Sequence, residues 1–97
     1  MRLRIPEKVV FEIVDGEAVL LDLSAGTYYS LNASASRIWK LIEEHGELGK
    51  VKSVLAVEFN VDSDVLESDL TTVIDELQQK GLLEIQDGDA SEENLSS

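Results

Sequence analysis

Ninety-seven residues, 43% hydrophobic and 29% charged, amount to one ordinary domain with enough apolar content for a packed core. A formal net charge of −12 opposes approach to phosphate backbones and anionic lipid, so neither nucleic acid nor membrane is an expected partner. The chain has no cysteine, which removes disulfides, thiolate metal sites and a cysteine nucleophile together.

No apolar run approaches the roughly eighteen residues of a membrane span, and the N-terminal MRLRIPEK lacks the apolar stretch of a signal peptide, so a cytoplasmic protein is expected. The β-branched run VVFEIV over 9–14 is followed by Asp15-Gly16, the dipeptide that best tolerates the positive φ angles of a two-residue hairpin. The returning strand, Glu17 to Leu23, ends at Ser24-Ala25-Gly26, a second turn signal, before Thr27-Tyr28-Tyr29-Ser30-Leu31 resumes strand composition. The pattern predicts a three-stranded antiparallel meander.

Asn32, with Ser34 as a competitor, supplies a side-chain cap for a helix over 33–45 that stops at Gly46. Ala35, Ile38, Leu41, Ile42 and His45 share one side of it, with Trp39 at the margin. A second, short helix from about Leu48 to Glu58 carries Leu48, Val51, Val54 and Leu55 on one stripe, and Phe59 continues that stripe. Asp62 or Ser63 caps a third helix that runs to Lys80, with Gly81 as its stop. Leu66, Leu70, Val73, Ile74 and Leu77 fall within about a third of its circumference. Leu82 to Ile85 reads either as a last short strand or as a return to the core. Residues 1–86 form the expected domain. Residues 87–97, which include Asp87, Asp89, Glu92 and Glu93 and almost no apolar content, read as a disordered acidic tail.

The groups that carry chemistry are sparse. His45 is the single histidine, so no histidine pair can hold a metal, and its place in the last helical turn suits it to offset the negative helix end. The glycines occur singly, without a phosphate-binding or dinucleotide pattern. Asp69, Asp75 and Glu76 read as the solvated flank of the third helix and not as a catalytic set. The expected class is a non-catalytic binding domain with no cofactor and no metal.

The layout is α+β and winged helix-turn-helix-like: a three-stranded antiparallel meander followed by three helices. DNA binding is not expected, because the third helix carries Asp64, Glu67, Asp69, Asp75 and Glu76 against Lys80 alone.

Asp15-Gly16-Glu17-Ala18-Val19-Leu20-Leu21-Asp22-Leu23, then Gly26 to Asn32, then Arg37-Ile38-Trp39, together resemble the PqqD-like family, a class of RiPP recognition elements. The resemblance continues through Glu58 to Asp62 and the Glu76-Leu77 to Gly81-Leu82-Leu83 ending, and so covers about residues 9 to 85. Ala35 departs from a glycine common in the family, a change harmless in a helix. The resemblance implies a domain that captures the leader of a ribosomally made precursor peptide. The leader would pair as an added strand with Thr27, Tyr28, Tyr29, Ser30 and Leu31, in a groove against the third helix.

Physical chemistry is in accord with that implication, since the last strand of a meander is a sheet edge with unpaired N–H and C=O groups. Leu70, Val73 and Leu77 are the candidates to line side-chain pockets, and Asp69 and Glu76 to meet basic leader residues. For Tyr28, Tyr29 and the stripe, ordinary core is the alternative. A free-standing domain with a polar tail is similar to the leader-binding protein of lasso-peptide pathways, whose partners are a leader peptidase and a cyclase. The alternatives are an accessory protein of pyrroloquinoline quinone biosynthesis serving a radical-SAM enzyme and, from another class, a winged-helix regulator or oligomerisation module.

Overall fold

The computed structural model describes residues 1–86, in the order β1 (Arg2–Arg4), β2 (Val9–Val14), β3 (Glu17–Asp22), β4 (Thr27–Ser30), α1 (Ala33–His45), α2 (Leu48–Phe59), α3 (Ser63–Gln79) and β5 (Glu84–Gln86). Strands β2, β3 and β4 form the expected antiparallel meander in that order. Its first turn closes on Asp15 at φ 56° and Gly16 at φ 80°, the pair of positive angles a two-residue hairpin demands. Asn32 accepts the Ala35 N–H at 2.8 Å and so wins the competition to cap α1. At the other end the Gly46 N–H, at φ 66°, closes on the Ile42 carbonyl. Asp62 occupies the N-cap of α3 without a side-chain hydrogen bond. That helix ends at Gln79, one residue before the expected Lys80, with Gly81 at φ 76° turning the chain.

Two features differ from the sequence expectation. The first is a second sheet: β1 pairs antiparallel with β5, Leu3 opposite Ile85, and an Arg4–Glu84 ion pair at 2.6 Å spans the ribbon. The alternation Arg-Leu-Arg buries only Leu3, a signal too short to mark a strand. The second is Trp39, expected at a margin and in fact fully buried, edge-on to Phe11 with ring centroids 5.5 Å apart. Helix α1 packs against both β3 and α2, so more than one of its sides is covered. His45 stays exposed, and the α2 stripe is buried only at Val51 and Leu55, leaving Phe59 half in solvent.

The core gathers Ala18 and Leu20 of β3, Ile38, Leu41 and Ile42 of α1, and Leu66, Leu70, Ile74 and Leu77 of α3, with Leu82 and Leu83 behind them. No helix among the described residues is long and apolar enough to cross a membrane. The expected acidic tail, 87–97, lies outside the described residues.

Candidate functional site

The turn before β4 is built on one carboxylate. Asp22 is buried and accepts the N–H groups of Ser24 at 2.9 Å and Ala25 at 3.1 Å, together with the Lys8 ammonium at 3.0 Å. The hydrogen bond from Lys8, followed by that from Ala25, holds the Asp22 carboxyl below the usual aspartate range. The carboxylate thereby fixes where β4 begins.

Among the described residues β4 is an edge, hydrogen-bonded to β3 alone. The Leu31 N–H donates to the Ala18 carbonyl at 2.9 Å, so by the two-residue alternation Tyr29 and Thr27 also turn their backbone groups toward β3. Tyr28 and Ser30 therefore aim their N–H and C=O groups away from the sheet. The far end of β4 is held by Ser36, whose buried hydroxyl accepts the Ala18 N–H at 2.7 Å and donates to the Leu31 carbonyl at 3.1 Å.

Beside this edge a cavity of about 230 Å³ opens between β4, the first turn of α1 and the C-terminal half of α3. Tyr29, Ser30, Leu31, Val73, Glu76 and Leu77, all anticipated as site residues, line it together. Thr27, Tyr28, Asp69 and Leu70 do not. Leu70 is 1% exposed and belongs to the core, whereas Val73, one turn later, is half-buried and reaches the cavity. Tyr28 is 69% exposed on the other face of the sheet, in register with Leu21 and, through it, Val10. Tyr28 meets the open edge through its backbone, whereas the Thr27 backbone groups face β3. Asp69 is exposed and apart from the cavity.

Five lining residues lay outside the sequence-based set: Asn32, Ser34, Ala35, Lys80 and Leu82. Asn32, Ser34 and Lys80 carry signals of helix ends, which mark a local role and not the space they border. Lys80 places its ammonium 5.7 Å from the Tyr29 ring centroid, a cation over an aromatic face. The cavity thus has an apolar lining in Leu31, Val73, Leu77 and Leu82 and one charge of each sign in Glu76 and Lys80. An extended polypeptide laid along β4 would find backbone partners on one side and a receptacle for a side chain beneath it. Among the described residues no three His, Asp or Glu side chains converge on a metal site.

Comparison with known proteins gives a family and a fold. The family profile described as coenzyme PQQ synthesis protein D (PqqD) matches residues 17–83. The chain is similar to the solved structure of TbiB1 in complex with the TbiA(beta) leader peptide, at 38% identity and a TM-score of 0.80, over 86% of this chain and 96% of that one. A lasso peptide synthetase B1 complexed with the leader peptide shares the fold, with a TM-score of 0.77 at 24% identity over 88% of this chain and 100% of that one. Among curated proteins none matches. The match from the second strand of the hairpin to Leu83, which takes in the β4 edge and the cavity beside it, assigns this chain to the PqqD family.

Proposed function

We propose that this chain is a leader-recognition protein: it takes the leader of a ribosomally made precursor peptide as a strand added to β4 and presents it to the enzymes that process the peptide. The observation that carries the reading is the open edge itself. Among the described residues, Tyr28 and Ser30 offer unpaired backbone groups next to a cavity that Val73, Glu76 and Leu77 line from α3. Backbone pairing supplies affinity that is indifferent to sequence, and the cavity supplies selection. The 38% likeness to a protein complexed with a leader peptide supports the same class of ligand. No chemical step is assigned to the chain.

The downstream partners in this reading are the leader peptidase and cyclase of a lasso-peptide pathway. The family description favours a second reading, an accessory protein of coenzyme PQQ synthesis. Neighbouring reading frames discriminate them: a short precursor with a protease and a cyclase in one case, a radical-SAM enzyme in the other.

The test of strand addition is a scan of N-methylated TbiA(beta) leader peptides titrated into this chain by calorimetry. Methylating an amide that faces Tyr28 or Ser30 removes a ladder bond and should weaken binding by about 1 kcal/mol, while its neighbours should matter less. A flat profile, or equal binding of a scrambled peptide, would sink the proposal.

A further inference from the structure

A larger cleft, about 450 Å³, lies among Ile13 and Gly16 of the β2–β3 hairpin, Ser34, Arg37 and Lys40 of α1, and Phe59 at the end of α2. Two of its walls are apolar surfaces that the fold leaves open, Ile13 at 40% and Phe59 at 50% exposure. Its charge is unusual for this chain. Against 20 acidic and 8 basic residues overall, the cleft brings together Arg37 and Lys40 with Glu58 as the one acid among the described residues of its lining.

The two cations are not equivalent. Arg37 is locked to Glu58 through Nε at 3.0 Å and Nη2 at 2.7 Å and forms a fixed wall. Among the described residues Lys40 meets only Glu43 at 3.7 Å and Glu44 at 3.9 Å, exposed pairs of the kind that contribute little, so its ammonium can turn to a ligand. Ser34 lines both this cleft and the cavity beside β4, so the two spaces meet at the first turn of α1.

Geometry connects them further. A strand added to an antiparallel meander is favoured in the antiparallel sense, and its N-terminal end then lies beside Ser30 and Leu31, where the chain leads to Ser34. We infer that the cleft is a second binding site for the same peptide: it receives, from the segment preceding the added strand, an apolar side chain against Ile13 and Phe59 and a neighbouring carboxylate on Lys40. The inference rests on strand addition at β4. A second copy of this chain is the poorer occupant, since two bodies of charge −12 repel.

The experiment titrates the TbiA(beta) leader peptide, whole and shortened stepwise from its N-terminus, into the unmodified protein, Lys40→Glu and Phe59→Ala. Both side chains are at least partly exposed, and circular dichroism verifies the fold. In the unmodified protein one truncation step should cost about tenfold in affinity. Each variant should lose a comparable factor with the whole peptide and little more on truncation, the non-additivity that marks a shared contact. Losses that add independently, or no loss on truncation, overturn the inference. If the alternating N-methyl pattern persists while both variants bind normally, the cleft assignment alone fails. If the unmodified protein binds neither whole nor shortened peptide, strand addition fails with it. Self-association that Phe59→Ala abolishes would give the cleft to a second copy and likewise overturn the assignment.

Discussion

The Ser36 hydroxyl stands 2.7 Å from the Ala18 N–H, where an uninterrupted β3–β4 ladder would place the Leu31 carbonyl. Leu31 returns its own N–H to Ala18, so one of two reciprocal bonds is direct and the other passes through the hydroxyl. Helix α1 is thereby stitched into the sheet at the end of the open edge. Ser36→Ala should strand a buried N–H and cost about 1–3 kcal/mol, read as a lower urea midpoint with an unchanged slope. An unshifted midpoint would mean that the ladder closes by itself once the hydroxyl is gone.

Asp22 should give the fold an acid limb. Its folded pKa lies below that of an unfolded aspartate, about 3.9, so its contribution is complete above that value and is lost as pH falls through the folded one. Relief of the −12 charge acts in the opposite sense, so the informative quantity is the difference between the unmodified protein and Asp22→Asn. That difference in melting temperature should be constant at pH 6 and above and shrink below about pH 4. A difference independent of pH would remove the Lys8–Asp22 pair as its source.

Leu70 and Val73 sit one turn apart yet should fail differently. Leu70→Ala opens a cavity in the core and should cost about 2–5 kcal/mol of stability. Val73→Ala, at a half-buried position, should cost about 1 kcal/mol while reducing leader affinity in the folded protein. Equal stability losses from denaturant melts would place both side chains in the core.

Charge reversal separates two acids on the same helix. Glu76→Lys places a cation in the cavity beside Lys80 and should weaken a leader bearing Lys or Arg there by about fivefold at low salt, less as salt rises. Asp69→Lys, away from the cavity, should change affinity less than about twofold. The reverse ranking would move the groove toward the N-terminal half of α3.

The meander was legible because its determinants are local. Asp15-Gly16 takes the two positive φ angles of the hairpin, and Asn32 reaches an amide three residues away. The edge position of β4 follows from strand order once those turns are read. The helical wheel of α3 places Leu70, Val73 and Leu77 on one arc but is silent on what covers each point of it, so it leaves groove and core both open for Leu70, whose side chain is buried in the core. Ser36 escaped notice for a related reason: between Ala35 and Arg37 it is an ordinary polar helical residue until tertiary packing brings Ala18 to it. Pairing of β1 with β5 depends on residues at opposite ends of the described chain, and no window of sequence contains both.

That ribbon sets Arg2 directly across from Gln86, Cα atoms about 5 Å apart as in any antiparallel pair. The backbone from Arg2 to Gln86 is consequently almost a closed ring, a segment that can be spliced into a surface loop of a host enzyme through two joints set side by side. Because β1 and β5 form a sheet apart from β2, β3 and β4, such grafting consumes no hydrogen-bonding position on β4. The architecture is equally suited to a diffusible adaptor and to a module carried within a larger catalyst.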